Sequence, residues 1–355
     1  MASHEQFMAQ YHHALLQEIE QNLSLLPEKP ALKTIYFGGG TPSTYPIPLL
    51  LDTFGMLRKH FDFNESTEVT IEVNPGTVTP ELLNVWSEVG INRLSIGVQS
   101  LKDVVLKSLN RHQTKADVER LLGQASKLFK NLSVDFILGL PDVSDEEFKD
   151  MIVQAMNWPI QHISVYFLTV HEDTPLYFKV SRNKVTLPPD DSMVDLYNWT
   201  VNYLAQHGFI QYEISNFAKE GFTSLHNAAY WERKPYRGFG LGACSFNGTT
   251  RFQNSKNLGK YIQATTEKKS VVEMSEDLVE HQIMLEKLML GLRQVRGVSI
   301  SQYVPSLPKE KQDKFFETVK VLEDAKLVVY QNDSIRLTPQ GYAVENEVTL
   351  KLFSY

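Results

Sequence analysis

The chain has 355 residues, 42% of them hydrophobic and 22% charged, which is enough apolar surface for a large core. Its formal net charge of −7, with no basic block to offset it, argues against nucleic acid as a partner. No apolar run is long enough to span a bilayer, and residues 1–6 carry neither the basic start nor the apolar stretch of a signal peptide, so a cytoplasmic location is expected. Cys244 is the single cysteine, which excludes an intramolecular disulfide and any site built from several thiolates of this sequence. Set among glycines beside Ala243, it is expected to be a small buried hydrophobe.

The chain opens with a helix pattern over residues 7–26, with Leu15, Leu16, Ile19, Leu23 and Leu26 at helical spacing. Strand-like apolar runs follow at 34–37, 68–73, 93–98, 132–138 and 162–168, separated by amphipathic stretches, which is the pattern of βα units around a parallel sheet. Their spacing of roughly thirty residues suits a barrel or an open sheet equally. Thr79 and Pro80 mark a helix start, and Ser144 with Glu147 forms a capping-box pattern.

Parallel sheets and barrels place ligands at the carboxyl ends of their strands, so the polar residues there are the candidates. After the first run come Gly38, Gly39, Gly40, Thr41 and Pro42, which serve equally as a tight turn or as bare backbone meeting a small polar group. In the second run Glu72 faces away from Val69, Ile71 and Val73, where its carboxylate could receive an ammonium group or stay solvated. The third run ends at Gln99, and Arg111 follows the next helix. Asp135 sits within the apolar fourth run, which is costly unless it is paired; Arg93 and Arg111 are candidate structural partners.

Pro175 and the turn at 188–191 interrupt the rhythm, and a helix is expected over 193–208 and a short strand over 212–215. Then come His226, Asn227, Tyr230 and Trp231, followed by Gly238, Gly240 and Gly242 at every second position. An imidazole beside aromatic rings, with bare backbone that could approach a flat ligand closely, suits a macrocycle pocket. Helices from residue 277 and a hairpin-like stretch over 327–337 read as a small winged-helix-like domain. There Lys309, Lys311, Lys314, Lys320 and Lys326 alternate with Glu310, Glu317, Glu323 and Asp324, as in a packing or docking module rather than a DNA-binding one.

The pattern His-Asn-x-x-Tyr-Trp followed by Tyr-x-Gly-x-Gly-x-Gly-Ala resembles the heme-binding signature of the HemW-type heme chaperones. These are relatives of the oxygen-independent coproporphyrinogen III oxidases in the radical S-adenosylmethionine (SAM) superfamily. The resemblance covers nearly the whole chain. It implies a fold of α/β class: a partial (β/α)6 radical-SAM-type barrel, first strand missing, with a small C-terminal winged-helix-like α+β domain. The implied division is a SAM-binding partial barrel over 1–170, a barrel extension with the heme segment over 171–276, and the C-terminal domain over 277–355. It also implies that Gly38, Gly39, Gly40 and Thr41 surround the methionine amino group of SAM. Glu72 and Gln99 would contact its polar groups, Arg111 its carboxylate and Asp135 its ribose; His226 would bind heme iron, with Tyr230 and Trp231 shaping the pocket.

Members of the family begin with a strand ending in three cysteines that hold a [4Fe–4S] cluster, and that motif is not in this sequence. A start displaced past the cluster loop is favoured over loss by descent, because losing a strand would leave unpaired backbone at a sheet edge. This polypeptide is therefore expected to do no radical chemistry. The expected function is heme binding and transfer to an acceptor protein, with a coproporphyrinogen oxidase as the alternative. Expected partners are heme or porphyrin, that acceptor and, as an open alternative, a second copy in a homodimer; neither nucleic acid nor a membrane is among them.

Overall fold

Runs of β-branched and apolar residues separated by capped amphipathic segments become a βα succession in the structure, a computed structural model that describes residues 2–23, 28–172, 174–301 and 304–353. In chain order, α1 (Ala2–Leu23) precedes β1 (Thr34–Phe37), α2 (Ile47–His60), β2 (Glu68–Val73), α3 (Pro80–Val89), β3 (Arg93–Gln99), α4 (Asp103–Ser108), α5 (Lys115–Ala125), β4 (Asn131–Leu138), α6 (Asp145–Ala155) and β5 (His162–Phe167). Next come α7 (Pro175–Ser181), α8 (Asp190–Gln206), β6 (Ile210–Gln211), β7 (Asn216–Ala218), α9 (Leu225–Trp231), β8 (Cys244–Phe246), β9 (Thr250–Asn254), α10 (Leu258–Thr266) and β10 (Val272–Asp277). The chain continues through α11 (Glu280–Leu292), β11 (Val298–Ser299), α12 (Lys309–Asp324), β12 (Val328–Gln331), β13 (Ser334–Leu337), α13 (Pro339–Ala343) and α14 (Glu345–Phe353). The fold is of the expected α/β class; of the opening helix pattern, Leu26 lies outside the described residues.

The main sheet has strand order β1-β2-β3-β4-β5-β7-β6, with β2 to β5 parallel and β7 antiparallel to both β5 and β6. The helix starts form as their sequences dictate. The Thr79 side chain accepts from the Leu82 amide at the head of α3, where Pro80 presets the first turn, and Ser144 and Glu147 close a reciprocal capping box on α6. The expected strand over 212–215 does not form. Those residues make the tip between β6 and β7, where the Ile214 amide donates to the Arg293 carbonyl and the Val295 amide to the Tyr212 carbonyl.

By packing, the chain divides into two units. One comprises residues 1–35, 45–68 and 225–287; the other comprises 36–44, 69–224 and 288–355. In the first, α1 packs on α2 and α10, with Ala14, Tyr261 and Val271 at the centre, and β8 to β10 form an antiparallel sheet. In the second, Ile71, Leu94, Ile96, Leu132, Val134, Phe136 and Ile163 are fully buried along the parallel strands. Its C-terminal part carries the expected hairpin, β12 and β13 joined at Asn332 and Asp333. Both of those residues have left-handed φ, 51° and 66°, the backbone of a type I′ turn. Among the described residues, no helix is long and apolar enough to cross a membrane.

Candidate functional site

In the second unit, polar side chains alternate with the apolar core along each parallel strand and fall into cross-strand rows. Register pairs Thr70 with Arg93 and Arg93 with Asn131; Glu72 with Ser95, Ser95 with Ser133 and Ser133 with His162; and Gly97 with Asp135 and Asp135 with Ser164. Both ring nitrogens of buried His162 are engaged, Nδ1 at 2.7 Å from Ser133 Oγ and Nε2 at 2.8 Å from Tyr212 Oη. Burial, and then the charge of Arg93, depress its pKa well below the usual imidazole value, so it is neutral.

Glu72, on β2, accepts a hydrogen bond from Tyr36 Oη at 2.8 Å and one from the Gly39 amide at 3.2 Å, which draws the glycine loop to the end of the strand. Burial, and then the Glu72 carboxylate, push the Tyr36 phenol far up, so it remains a donor. Gly38, Gly39, Gly40 and Thr41 are exposed. A side chain at Gly38 would strike the Tyr36 ring and Glu72, but nothing lies within 4 Å of where a Cβ would stand on Gly39 or Gly40. Gln99 has a left-handed φ of 65°, and its amide nitrogen covers the α-carbon of Gly97, which a Cβ would meet at 3.0 Å.

Asp135 accepts from Ser95 Oγ at 3.1 Å, whereas its Oδ1 is buried with no hydrogen-bond partner among the described residues. The Ser164 hydroxyl lies close enough to favour the carboxylate but not in bonding geometry. Burial prevails, raising the Asp135 pKa against Ser164, Arg93 and Ser95. Among the described residues, neither Arg93 nor Arg111 forms an ion pair with it. Arg111 is half-exposed and its guanidinium has no partner among the described residues. The structure thus brings Gly38 to Thr41, Glu72 and Gln99 to the ends of adjacent strands, with Asp135 inside β4 opposite Gly97, and leaves Arg111 without a bond to any of them among the described residues. Its segment is nevertheless anchored, because the buried Gln113 amide donates to the Gly97 and Val98 carbonyls at 2.7 and 3.0 Å.

In the first unit, His226, Tyr230 and Trp231 lie on the short helix α9. The Glu68 carboxylate accepts from the Leu225 and His226 amides at 3.0 and 2.9 Å, satisfying the donors that open the helix. His226 Nδ1 lies 2.9 Å from Thr34 Oγ1 and Nε2 lies 3.1 Å from Tyr230 Oη. The rings continue edge-on from His226 to Tyr230 (4.9 Å) and from Tyr230 to Tyr236 (4.8 Å), and then to Phe246 at 6.4 Å. Tyr236 and Phe246 line a cavity of about 340 Å³ together with Arg237, Asn247 and Phe252.

Two expectations for this segment need correction. Cys244 is exposed rather than buried, its thiol 3.5 Å from the Gln253 amide nitrogen. Two of the alternating glycines, Gly238 and Gly240, moreover close on the protein's own chain instead of leaving backbone open to a flat ligand. A Cβ on Gly238 would meet the Cys244 carbonyl oxygen at 2.2 Å, and one on Gly240, whose φ is +107°, would meet the Tyr11 hydroxyl at 2.7 Å. The Gly240 amide also donates to Glu18 at 2.8 Å, and its carbonyl accepts from Asn254 at 2.9 Å. Gly240→Ala should therefore cost about 2–4 kcal/mol, combining left-handed strain with overpacking, which urea unfolding would register as a lower midpoint. The helical placement of His226 and the roles of Thr34, Glu68 and Gln113 carry no sequence signal, since each depends on a distant segment.

The Radical SAM superfamily model matches residues 4–155, and the HemN C-terminal domain model matches residues 278–344. The heme chaperone HemW of Bacillus subtilis (strain 168) is 32% identical over 341 residues, covering 96% of this chain and 90% of the relative. The chain belongs to the HemW family. The heme chaperone HemW of Synechocystis sp. is 32% identical over 318 residues, covering 88% of this chain and 77% of that relative. Radical S-adenosyl methionine domain-containing protein 1, mitochondrial, of Bos taurus is 29% identical over 346 residues, covering 94% and 78%. Among solved structures, coproporphyrinogen III oxidase (HemN) from Escherichia coli, a radical SAM enzyme, superposes with a TM-score of 0.81 at 24% identity, covering 98% of this chain and 83% of that one. HemW family membership thus carries with it the radical SAM fold, whose cofactors are SAM and a [4Fe–4S] cluster, and the C-terminal domain of HemN type.

Proposed function

We propose that this chain is a heme-binding chaperone that holds heme through His226 and passes it to an acceptor protein. The observation that carries this is an imidazole held on a short helix, its Nε2 on the exposed side, at the head of a file of rings leading to an aromatic cavity with Arg237 at its wall. Imidazole nitrogen ligates heme iron, aromatic faces bury the porphyrin, and a guanidinium suits its propionates. The curated relatives named heme chaperone HemW favour this reading over a coproporphyrinogen oxidase. Hemin titration tests it: wild type should give a shifted Soret band, and His226→Ala should lose at least about tenfold in affinity with a changed spectrum. Superimposable titrations of the two proteins would remove His226 from the site.

SAM fits the strand-end residues of the second unit. Open space above Gly39 and Gly40 beside the Glu72 carboxylate suits an ammonium group, and the unpartnered guanidinium of Arg111 suits a carboxylate. The orphaned Asp135 Oδ1 lacks only a donor, which a ribose hydroxyl supplies. Bound SAM would supply the family's sulfonium chemistry; these side chains would hold and orient it. A thiolate-held cluster does not fit the residues of this sequence, whose single thiol is Cys244, and the chemistry assigned to them is binding alone. A soluble protein in the cytoplasm, acting with a heme acceptor and alone or as a homodimer, is the setting proposed for it.

A further inference from the structure

His226 meets a hydroxyl on each ring nitrogen, and the two hydroxyls differ in setting. Thr34 Oγ1, on β1, lies 2.9 Å from Nδ1, on the more enclosed side. Tyr230 Oη, one helical turn along α9, lies 3.1 Å from Nε2 on a residue 39% exposed. A neutral imidazole carries one N–H and one lone pair, so one of these hydroxyls must accept from it and the other must donate to it. Iron can take only a nitrogen that presents its lone pair outward, and the enclosed Nδ1 does not.

We propose that Thr34 and Tyr230 together set the readiness of His226: Thr34 accepts the Nδ1 proton and so fixes the lone pair on Nε2, while the Tyr230 hydroxyl donates to that lone pair and is the group heme iron displaces. Thr34 is then a positioning residue, acting as the outer partner that orients a metal-binding histidine and raises its basicity. Tyr230 acts as a removable cap. Its ring stands edge-on to both His226 and Tyr236, and because the phenol oxygen lies on the ring axis, displacing the hydroxyl moves the ring with it. Glu68 fixes the helix backbone from which both side chains project. No covalent step is involved: one hydrogen bond is exchanged for one metal–ligand bond.

This rests on the reading of His226 as the heme ligand, and the test separates the two. Hemin binding by the full chain is followed in wild type, His226→Ala, Tyr230→Phe, Thr34→Val and Thr34→Ser by Soret titration, stopped-flow association and the ferric/ferrous potential. Tyr230→Phe keeps the ring and removes the cap; it should bind about fivefold tighter and associate faster, the equivalent of about one net hydrogen bond. Thr34→Val should bind about fivefold weaker with a higher potential, and Thr34→Ser should restore both. Nitrogen-15 spectra of ligand-free wild type should show His226 protonated at Nδ1, a readout that requires no variant to fold. A proton on Nε2 would overturn the proposal. So would unchanged or weaker hemin binding by Tyr230→Phe while His226→Ala abolishes binding. If His226→Ala itself binds as wild type does, the ligand reading falls first and the cap falls with it.

Discussion

Glu18→Ala is expected to lower the unfolding free energy by about 3–5 kcal/mol, a large share of the stability of an ordinary domain. The Glu18 side chain lies at the centre of the first unit, fully buried. It accepts from the Gly240 amide at 2.8 Å, from Asn254 Nδ2 at 2.8 Å and from Tyr261 Oη at 2.6 Å. Asn254 also donates to the Gly240 carbonyl and keeps one partner, but truncation orphans the Gly240 amide and the Tyr261 hydroxyl in a closed interior. Burial, the largest influence, raises the Glu18 pKa against these three donors and Arg237, so a neutral carboxamide is tolerable there. Glu18→Gln retains an accepting oxygen and should cost no more than about half as much. Differential scanning calorimetry of the two variants checks the order; equal losses would mean that the carboxylate's charge, and not its acceptor geometry, holds the glycine segment.

Glu213 should make stability fall as pH rises. It sits at the tip between β6 and β7, fully buried, with Oε1 accepting from the Ser215 amide at 3.2 Å and Oε2 without a hydrogen-bond partner among the described residues. Burial lifts its pKa to about 7 against Asn216, Ser215 and Arg293, from an ordinary 4.5. Because the folded state holds this proton more tightly than the unfolded chain, ionising the group opposes folding. Its contribution is intact below about pH 4.5 and is lost progressively between 4.5 and 7, the loss above that window amounting to about 3 kcal/mol. His162 works in the opposite sense. Its depressed pKa means that stability is lost as pH falls below the unfolded imidazole value, so the two slopes partly cancel in wild type. The difference between wild type and Glu213→Gln isolates the glutamate. Urea midpoints measured from pH 5 to 8 should converge at low pH and separate at high pH in favour of the variant, and parallel curves would refute the assignment.

What could be read from the sequence follows from the range over which each signal acts. Runs such as 68–73 and 132–138 declare strands because β-branched and apolar residues bury both faces of a parallel sheet. The caps at Thr79 and Ser144 act within a single turn, so both were legible. Asp135 stood out because a carboxylate within such a run is costly, and Glu72 because it faces away from Val69, Ile71 and Val73 at the end of its run. Residues 212–215 misled through the same rule. Their alternation imitates a strand, but the backbone partners they find lie at Arg293 and Val295, some eighty residues away, at a hairpin tip. The glycines at 238 and 240 show the limit of arguing from an absent side chain. A missing Cβ announces a close approach without saying what approaches, and here it is Tyr11 and the Cys244 carbonyl. Thr34 and Glu68 gave no sign, because their partners at His226 and Leu225 lie 192 and 157 residues along the chain.

The first unit is assembled from three separate stretches, 1–35, 45–68 and 225–287. During synthesis at roughly 5–20 residues per second, Glu68 waits on the order of ten to thirty seconds for the 157 residues that lead to Leu225, and the opening helix waits longer for Tyr261 and Val271. Throughout that interval the apolar side of α1, with Ala14 and Ile19, has no Tyr261 or Val271 to cover it. The nascent polypeptide thus carries a sticky amphipathic arm until translation is about three-quarters done, and slowing the ribosome upstream of codon 225 should raise the fraction that aggregates rather than the fraction that matures.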